Sequence, residues 1–183
     1  MRADARRNYE RLLDCAREVF AEQGIDAPLD DIARRAGVGP GTLYRHFPNR
    51  TVLMEAVYRS AIETVGARAT EFRTTLPPAE AFEAWFRELV TYIIEKHGLA
   101  TTLKAAIDRT SDDVLAACSA VLVTAADEVL TPLQEAGTFR PEVGPRDILR
   151  LGHGIGAGCQ NAPDSAPLLI DIALAGLRVQ PTG

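Results

Sequence analysis

Most of the chain's capacity for directional chemistry lies in one short run. Gly41, Thr42, Leu43, Tyr44, Arg45 and His46 place two hydroxyls, a guanidinium and an imidazole within six positions. On a helix, Leu43 would point into a core and the others would form a small polar face of hydrogen-bonding groups. Such a face suits phosphate oxygens and base edges better than it suits bond breaking. The remaining candidates for covalent or metal chemistry are scattered. His46, His97 and His153 stand apart, with no HExxH, no paired Cys/His spacing and no nucleophile elbow. Cys15, Cys118 and Cys159 are odd in number and widely spaced, which reads as reduced thiols in a cytoplasmic protein. The expectation is therefore no metal, no cofactor and no catalytic residue, with a helical enzyme as the weaker alternative.

The elements that must hold this face are helical almost throughout. From Tyr9 onward, Leu12, Leu13, Ala16, Val19 and Phe20 recur at three- and four-residue steps on one helical face, and Gly24 ends that helix. Two short segments, Leu29 to Ala36 and Pro40 to Phe47, flank Gly37-Val38-Gly39, which makes a helix-turn-helix pattern. Leu29, Ile32, Ala33 and Ala36 supply the inner face of its first helix, while Val38, Leu43 and Phe47 anchor the turn and the second helix. So short a helix makes sense if its outer face meets DNA. Asn49 is a good N-cap for the next helix, with the stripe Leu53, Val57, Ala61 and Val65 running toward Phe72.

After Pro77-Pro78, Phe82, Trp85, Phe86, Leu89, Val90 and Ile93 cover an arc wide enough to require burial. A break is expected at His97-Gly98, followed by a short segment from Leu99 to Ile107. Ser111 is the expected cap of a long helix through Leu133, and the last two helices span Arg146 to about Gln160 and Ser165 to about Val179. No alternating run makes a convincing strand. The fold class is all-α, with about nine helices: a three-helix amino-terminal domain, residues 1–50, and a helical bundle, residues 51–183.

The run LDDIARRAGVGPGTLYRHFPNRTVLMEAV, Leu29 to Val57, closely resembles the DNA-binding segment of TetR-type transcriptional regulators. The stretch from Gly41 to Phe47 carries most of that likeness, which is specific over roughly Tyr9 to Tyr58. The resemblance implies a homodimer whose subunits each place their third helix in the major groove of a palindromic double-stranded operator. It also implies a repressor whose carboxy-terminal bundle binds a small-molecule effector, and no membrane partner. Residue by residue, it implies phosphate contacts for Thr42 and Tyr44, a phosphate or base-edge contact for His46, and a phosphate clamp for Arg50. Gly41 lies on the same face. Arg45, at a position that varies in the family, is the candidate for base reading, because a guanidinium donates two parallel hydrogen bonds to guanine O6 and N7. Tyr44 has packing against the first helix as its alternative, and Arg2, Arg6 and Arg7 are either groove contacts or solvated charges.

Three positions depart from the family pattern. Gly39 stands where serine is usual, Pro40 where a cation is frequent, and Asp26-Ala27-Pro28 lacks the usual hydroxyl. Proline suits a first helical position, so the helix still starts cleanly, with fewer backbone contacts to DNA and more dependence on Arg45 and Arg50.

In the bundle, Trp85, Phe86, Tyr92, His97, Leu103, Ile107, Cys118, Leu122 and His153 could line a ligand pocket, or serve as ordinary core. The segment LRLGHGIGAG, Leu149 to Gly158, places Gly152 and Gly156 where backbones could approach closely. By resemblance, this helix and the last one, with Leu168, Leu169, Ile172, Leu174 and Leu177, form the dimer interface.

Charge first argues against a nucleic-acid partner, since 20 cations meet 25 carboxylates for a net of -5. The division along the chain changes that. Residues 1–50 hold nine cations against eight carboxylates, whereas the rest holds eleven against seventeen. A front segment so nearly neutral argues against a non-specific architectural DNA binder, which would need a broad basic surface. Met1 to Arg11 has no apolar core of a secretory signal, and the weakly polar stretch Val114 to Ala126 is expected to be too short for a bilayer.

Overall fold

The computed structural model describes the backbone of residues 2–107 and 112–179, with side chains except at 2–3, 95–101, 104 and 112. Its elements are α1 (Arg2–Gln23), α2 (Leu29–Arg35), α3 (Pro40–His46), α4 (Arg50–Thr75), α5 (Pro78–Ile107), α6 (Asp112–Glu135), α7 (Pro145–Gly158), a single 3₁₀ turn (Pro163–Ser165) and α8 (Ala166–Leu177). The all-α expectation holds. Contacts gather these elements into two compact units, residues 1–61 with 98–116, and residues 62–97 with 117–183.

In the first unit, α1 buries Leu12, Leu13, Ala16, Val19 and Phe20, and α2 buries Leu29, Ile32 and Ala33. Leu43 and Phe47, at 0% and 1% exposure, bring α3 into the same core together with Leu53 and Val57 of α4. Each such side chain contributes about 1.5–3 kcal/mol on leaving water, which is what short helices need from tertiary packing. The turns are set by glycine. Gly24 and Gly37 have φ of +84° and +67°, a conformation that side-chain-bearing residues rarely adopt. Asn49 caps α4 as expected, its Oδ1 accepting the Val52 N–H at 3.0 Å.

Several boundaries differ from expectation. α1 begins at Arg2, seven residues ahead of the first apolar position, in a stretch where Arg6 pairs with Glu10 at 2.9 Å and Arg7 with Asp4. Such three- and four-residue pairs extend a helix beyond its buried face. α5 runs unbroken through His97-Gly98, so the expected break is absent: a glycine inside a long helix costs only about 1 kcal/mol. The expected cap, Ser111, lies outside the described residues. The apolar stretch of α6 continues past Ala126, and Asp113–Glu135 is long and apolar enough to cross a membrane by length and composition. That helix nonetheless buries Ala125, Ala126, Val129, Leu130 and Leu133 inside the protein.

The second unit is built around α5. Phe82, Trp85, Phe86, Leu89 and Val90 are buried with Val65 and Ala69 of α4, the α6 residues just named, Ile148 of α7, and Ile170, Leu174 and Leu177 of α8. The Trp85 indole N–H donates to the Val65 carbonyl at 3.0 Å, so the largest core side chain leaves no polar atom unmet. The segment after α8 is held by an isolated antiparallel bridge between Phe139 and Arg178: the Arg140 N–H donates to the Leu177 carbonyl at 3.0 Å, and the Val179 N–H to the Thr138 carbonyl at 2.9 Å.

Two glycines of α7, Gly152 and Gly156, face into this unit. A Cβ on Gly152 would lie 3.0 Å from Leu89 Cδ2, and one on Gly156 would lie 2.5 Å from Ile93 Cγ2 and 2.7 Å from Ile93 Cβ. The close approach they permit is therefore between α7 and α5 of one subunit, which corrects their expected place at a dimer interface. Gly156→Ala should lower stability by roughly 1–3 kcal/mol through overpacking against a branched side chain. Urea unfolding should show a lower midpoint at an unchanged m-value, and an unchanged midpoint would contradict this packing.

Candidate nucleic-acid interface

α2, the turn and α3 form the helix-turn-helix. Ala36 ends α2, with the Gly37 N–H donating to the Arg34 carbonyl at 3.1 Å and the Val38 N–H to the Ala33 carbonyl at 3.0 Å. Gly39 is the extended residue before α3, Pro40 opens it, and the Thr42 N–H donates to the Gly39 carbonyl at 2.9 Å. The start is clean without a serine because proline has no N–H to satisfy.

On the outer side of α3, Gly41 and Arg45 are exposed, Tyr44 is 45% exposed, and Thr42 is half-buried. Tyr44 thus keeps almost half of its surface in water. A Cβ on Gly41 would meet nothing within 4 Å, so the helix presents open backbone there. His46 is placed differently. Its ring lies edge-on to Tyr9 of α1, with centroids 5.8 Å apart, and beside Phe47 at 6.2 Å. Its Nε2 is enclosed without a hydrogen-bond partner. The imidazole thus packs α3 against α1, rather than offering that nitrogen to DNA as its position in the resemblance implies. Tyr9, which apolar spacing marks only as the start of a helix, completes this aromatic seam with a centroid 5.1 Å from Phe47.

The cations of the front segment are mostly engaged. Arg6 pairs with Glu10, Arg7 with Asp4, Arg17 with Asp14 and Arg34 with Asp31. Arg35 of α2 forks onto Glu22 of α1 at 2.6 and 2.9 Å, and lies 3.2 Å from Glu18. Arg50 directs Nη1 to the carbonyls of Ile25 and Ala27. Among the front-segment arginines whose side chains are described, Arg45 alone has neither an ion pair nor a hydrogen bond within the subunit. An uncommitted guanidinium on an exposed helical face is ready for a base edge or a phosphate.

The residues expected to line a pocket fall in both units. Trp85 and Phe86 are fully buried core of the second unit, with Tyr92 and Leu122 packed against that core, and Cys118 is buried in the same unit. Leu103 and Ile107 are buried in the first unit. His153 is exposed on α7, and the side chain of His97 lies outside the described residues. The three cysteines are not joined in disulfides.

On α8, Leu174 and Leu177 belong to the core, while Leu168, Leu169 and Ile172 are exposed at 63%, 39% and 59%. Of the five apolar residues expected at an interface, only Leu168, Leu169 and Ile172 are exposed.

Comparison with known proteins agrees with this architecture. Residues 12–57 match the family model of bacterial regulatory proteins of the tetR family, and residues 77–179 match that of the SbtR-like transcriptional regulator C-terminal domain. The crystal structure of the TetR transcriptional regulator SCO0520 from Streptomyces coelicolor is 34% identical, with 95% of this chain and 99% of that one covered and a TM-score of 0.79. A TetR regulator from Mycobacterium vanbaalenii is 31% identical over 97% and 99% of the two chains, with a TM-score of 0.72. The HTH-type transcriptional regulator TtgW of Pseudomonas putida is 46% identical over 59 residues, which is 32% of this chain and 44% of that protein. This chain matches less than half the length of such curated relatives. The fold and family are those of regulators, which removes the helical-enzyme alternative.

The fork between α2 and α1 has a pH consequence. The hydrogen bond from Arg35 holds the Glu22 carboxyl below its ordinary range. A lowered folded value contributes stability above the ordinary glutamate range, and that contribution is lost as pH falls through the folded value. Glu22→Gln should therefore make the decline in melting temperature between about pH 5 and pH 3 shallower. An unchanged slope would show that the fork is not formed in solution.

Proposed function

This chain belongs to the TetR family of transcriptional regulators, and we propose that it is a dimeric, ligand-responsive repressor whose α3 reads a palindromic operator chiefly through Arg45. The observation that carries the reading is the uncommitted Arg45 guanidinium on an exposed face, among front-segment arginines otherwise engaged within the subunit. Thr42 and Tyr44 flank it and position the helix on phosphates, which fix register without reading sequence. Residues 1–50 form the DNA-binding domain, and residues 51–183 the ligand-binding and dimerisation domain.

The partner of the exposed α8 residues is a second copy of the chain. Two reading heads on one face of DNA must stand about 34–36 Å apart, or a multiple of that. An effector that favours another spacing releases the operator. Moving such an equilibrium from 99:1 to 1:99 requires about 5.5 kcal/mol of differential affinity, which a small molecule can supply. A relative of the same fold, RolR, was crystallised with resorcinol; it is 25% identical over 98% of this chain and 92% of its own, with a TM-score of 0.62. That supports a compact organic effector for the bundle.

Binding-site selection with the full chain should recover a palindrome, and Arg45→Ala should relax one base position in each half-site at a cost of about 1–3 kcal/mol per contact. Recovery of no motif at low salt would end this reading. Replacing Leu168 and Ile172 together by aspartate should give monomers in sedimentation equilibrium. Operator affinity should fall by roughly 100-fold or more, because the two heads lose their linkage. A dimer that persists through that change would place the interface elsewhere.

A further inference from the structure

Arg50 opens α4, where its charge is unfavourable for the helix itself. The first turn of a helix carries the positive end of the backbone dipole, and a cation there is repelled. The side chain is nevertheless held in place and half-buried. Its Nη1 donates to the carbonyl oxygens of Ile25 at 2.5 Å and Ala27 at 2.7 Å. Both carbonyls lie in the turn between α1 and α2, which Gly24 enters with φ of +84°. The turn's own backbone bonds use other acceptors: the Gly24 N–H donates to Phe20 and the Ala27 N–H to Gly24. One nitrogen therefore joins the residues just before α2 to those just after α3, across 23 and 25 positions of sequence.

We propose that Arg50 is a positioning residue of the reading head: it fixes α3 by tying the start of α4 to the turn before α2, and it is not itself a phosphate contact. Two partly negative carbonyl oxygens give the guanidinium its counterpart within the subunit, and charge-assisted bonds of this kind are the stronger ones. Everything between the two tied ends, α2, the turn and α3, then moves as one body. Phe47 and Leu43 fix the depth of α3 in the core, and the Arg50 bonds fix where its far end leaves that core. The proposal takes DNA binding by this head as given, so part of its test is made on the protein without DNA.

The experiment compares the full-length chain with Arg50→Gln, under conditions where circular dichroism shows both folded. Amide exchange of residues 32–43 in the DNA-free variant should quicken about tenfold, the loss of one charged hydrogen-bonded tie. Affinity for the duplex recovered by site selection should fall about tenfold at every salt concentration, with an unchanged dependence on salt and with binding to a scrambled duplex unaltered. A phosphate contact gives the opposite pattern. The slope of log K against log salt would fall by about 0.9 per subunit, both duplexes would lose affinity together, and exchange would stay as in the parent. Either that change of slope or unaltered exchange overturns the proposal. If Arg50→Gln does not fold, nitrogen-15 resonances of the Arg50 guanidinium in the unsubstituted protein decide. They should show slowed rotation without DNA and stay in place on addition of duplex, and a shift on addition overturns the assignment.

Discussion

A seven-residue helix has too few internal hydrogen bonds to persist alone in water, so the reading head depends on what α3 is packed against. Leu43 and Phe47 are the answer: two side chains, both essentially without exposure, hold α3 against α1 and α2. Because they fall four positions apart on a short helix, they fix its rotation as well as its depth. That rotation sends Tyr44 and Arg45 outward and turns His46 toward Tyr9. The polar face is thus a by-product of core packing, and its precision is that of the core.

The same packing explains how an acidic protein can read DNA. A basic surface would bind any duplex, and this head lacks one, because its arginines are largely spent on neighbouring carboxylates and backbone. Pairs between exposed side chains contribute little stability individually. Their larger effect is to cancel charge where charge would attract DNA indiscriminately. What remains on the exposed side of α3 is a small set of directional donors.

How far the sequence was legible follows from the range of each interaction. Periodicity located the helices, because apolar spacing is a local property; Leu12 to Phe20 and Leu29 to Ala36 could be placed by counting. The outward face of α3 was also readable, since Leu43 and Phe47 set its phase. Long-range partners were not. Nothing near Arg35 announces Glu22, thirteen residues earlier, and nothing near Arg50 announces the Ile25 carbonyl. The glycine at 98 misled for the opposite reason: local propensity argues for a break, and a cost of about 1 kcal/mol is easily offset in a thirty-residue helix. Gly152 and Gly156 signalled close approach correctly, but the neighbour they accommodate, α5, could only be seen in three dimensions.

That last distinction bears on how the bundle is divided between core and interface. α7 turns Gly152 and Gly156 inward, so α5 can lie close against it, and Ile93 fills the space that a side chain at 156 would otherwise take. α8 has no such economy. It is apolar on two sides: Ala166, Ile170, Leu174 and Leu177 satisfy the subunit's own core, while Leu168, Leu169 and Ile172 remain in water. A helix that is apolar on one face is complete when that face is covered, whereas one that is apolar on two faces needs a second surface. Leu168 and Ile172, four positions apart, lie along one line of α8, and a symmetric pairing would bring each line onto its own copy. Among the described residues, the two most exposed large apolar side chains, Leu168 and Ile172, thus stand on a helix whose other face is anchored in the core.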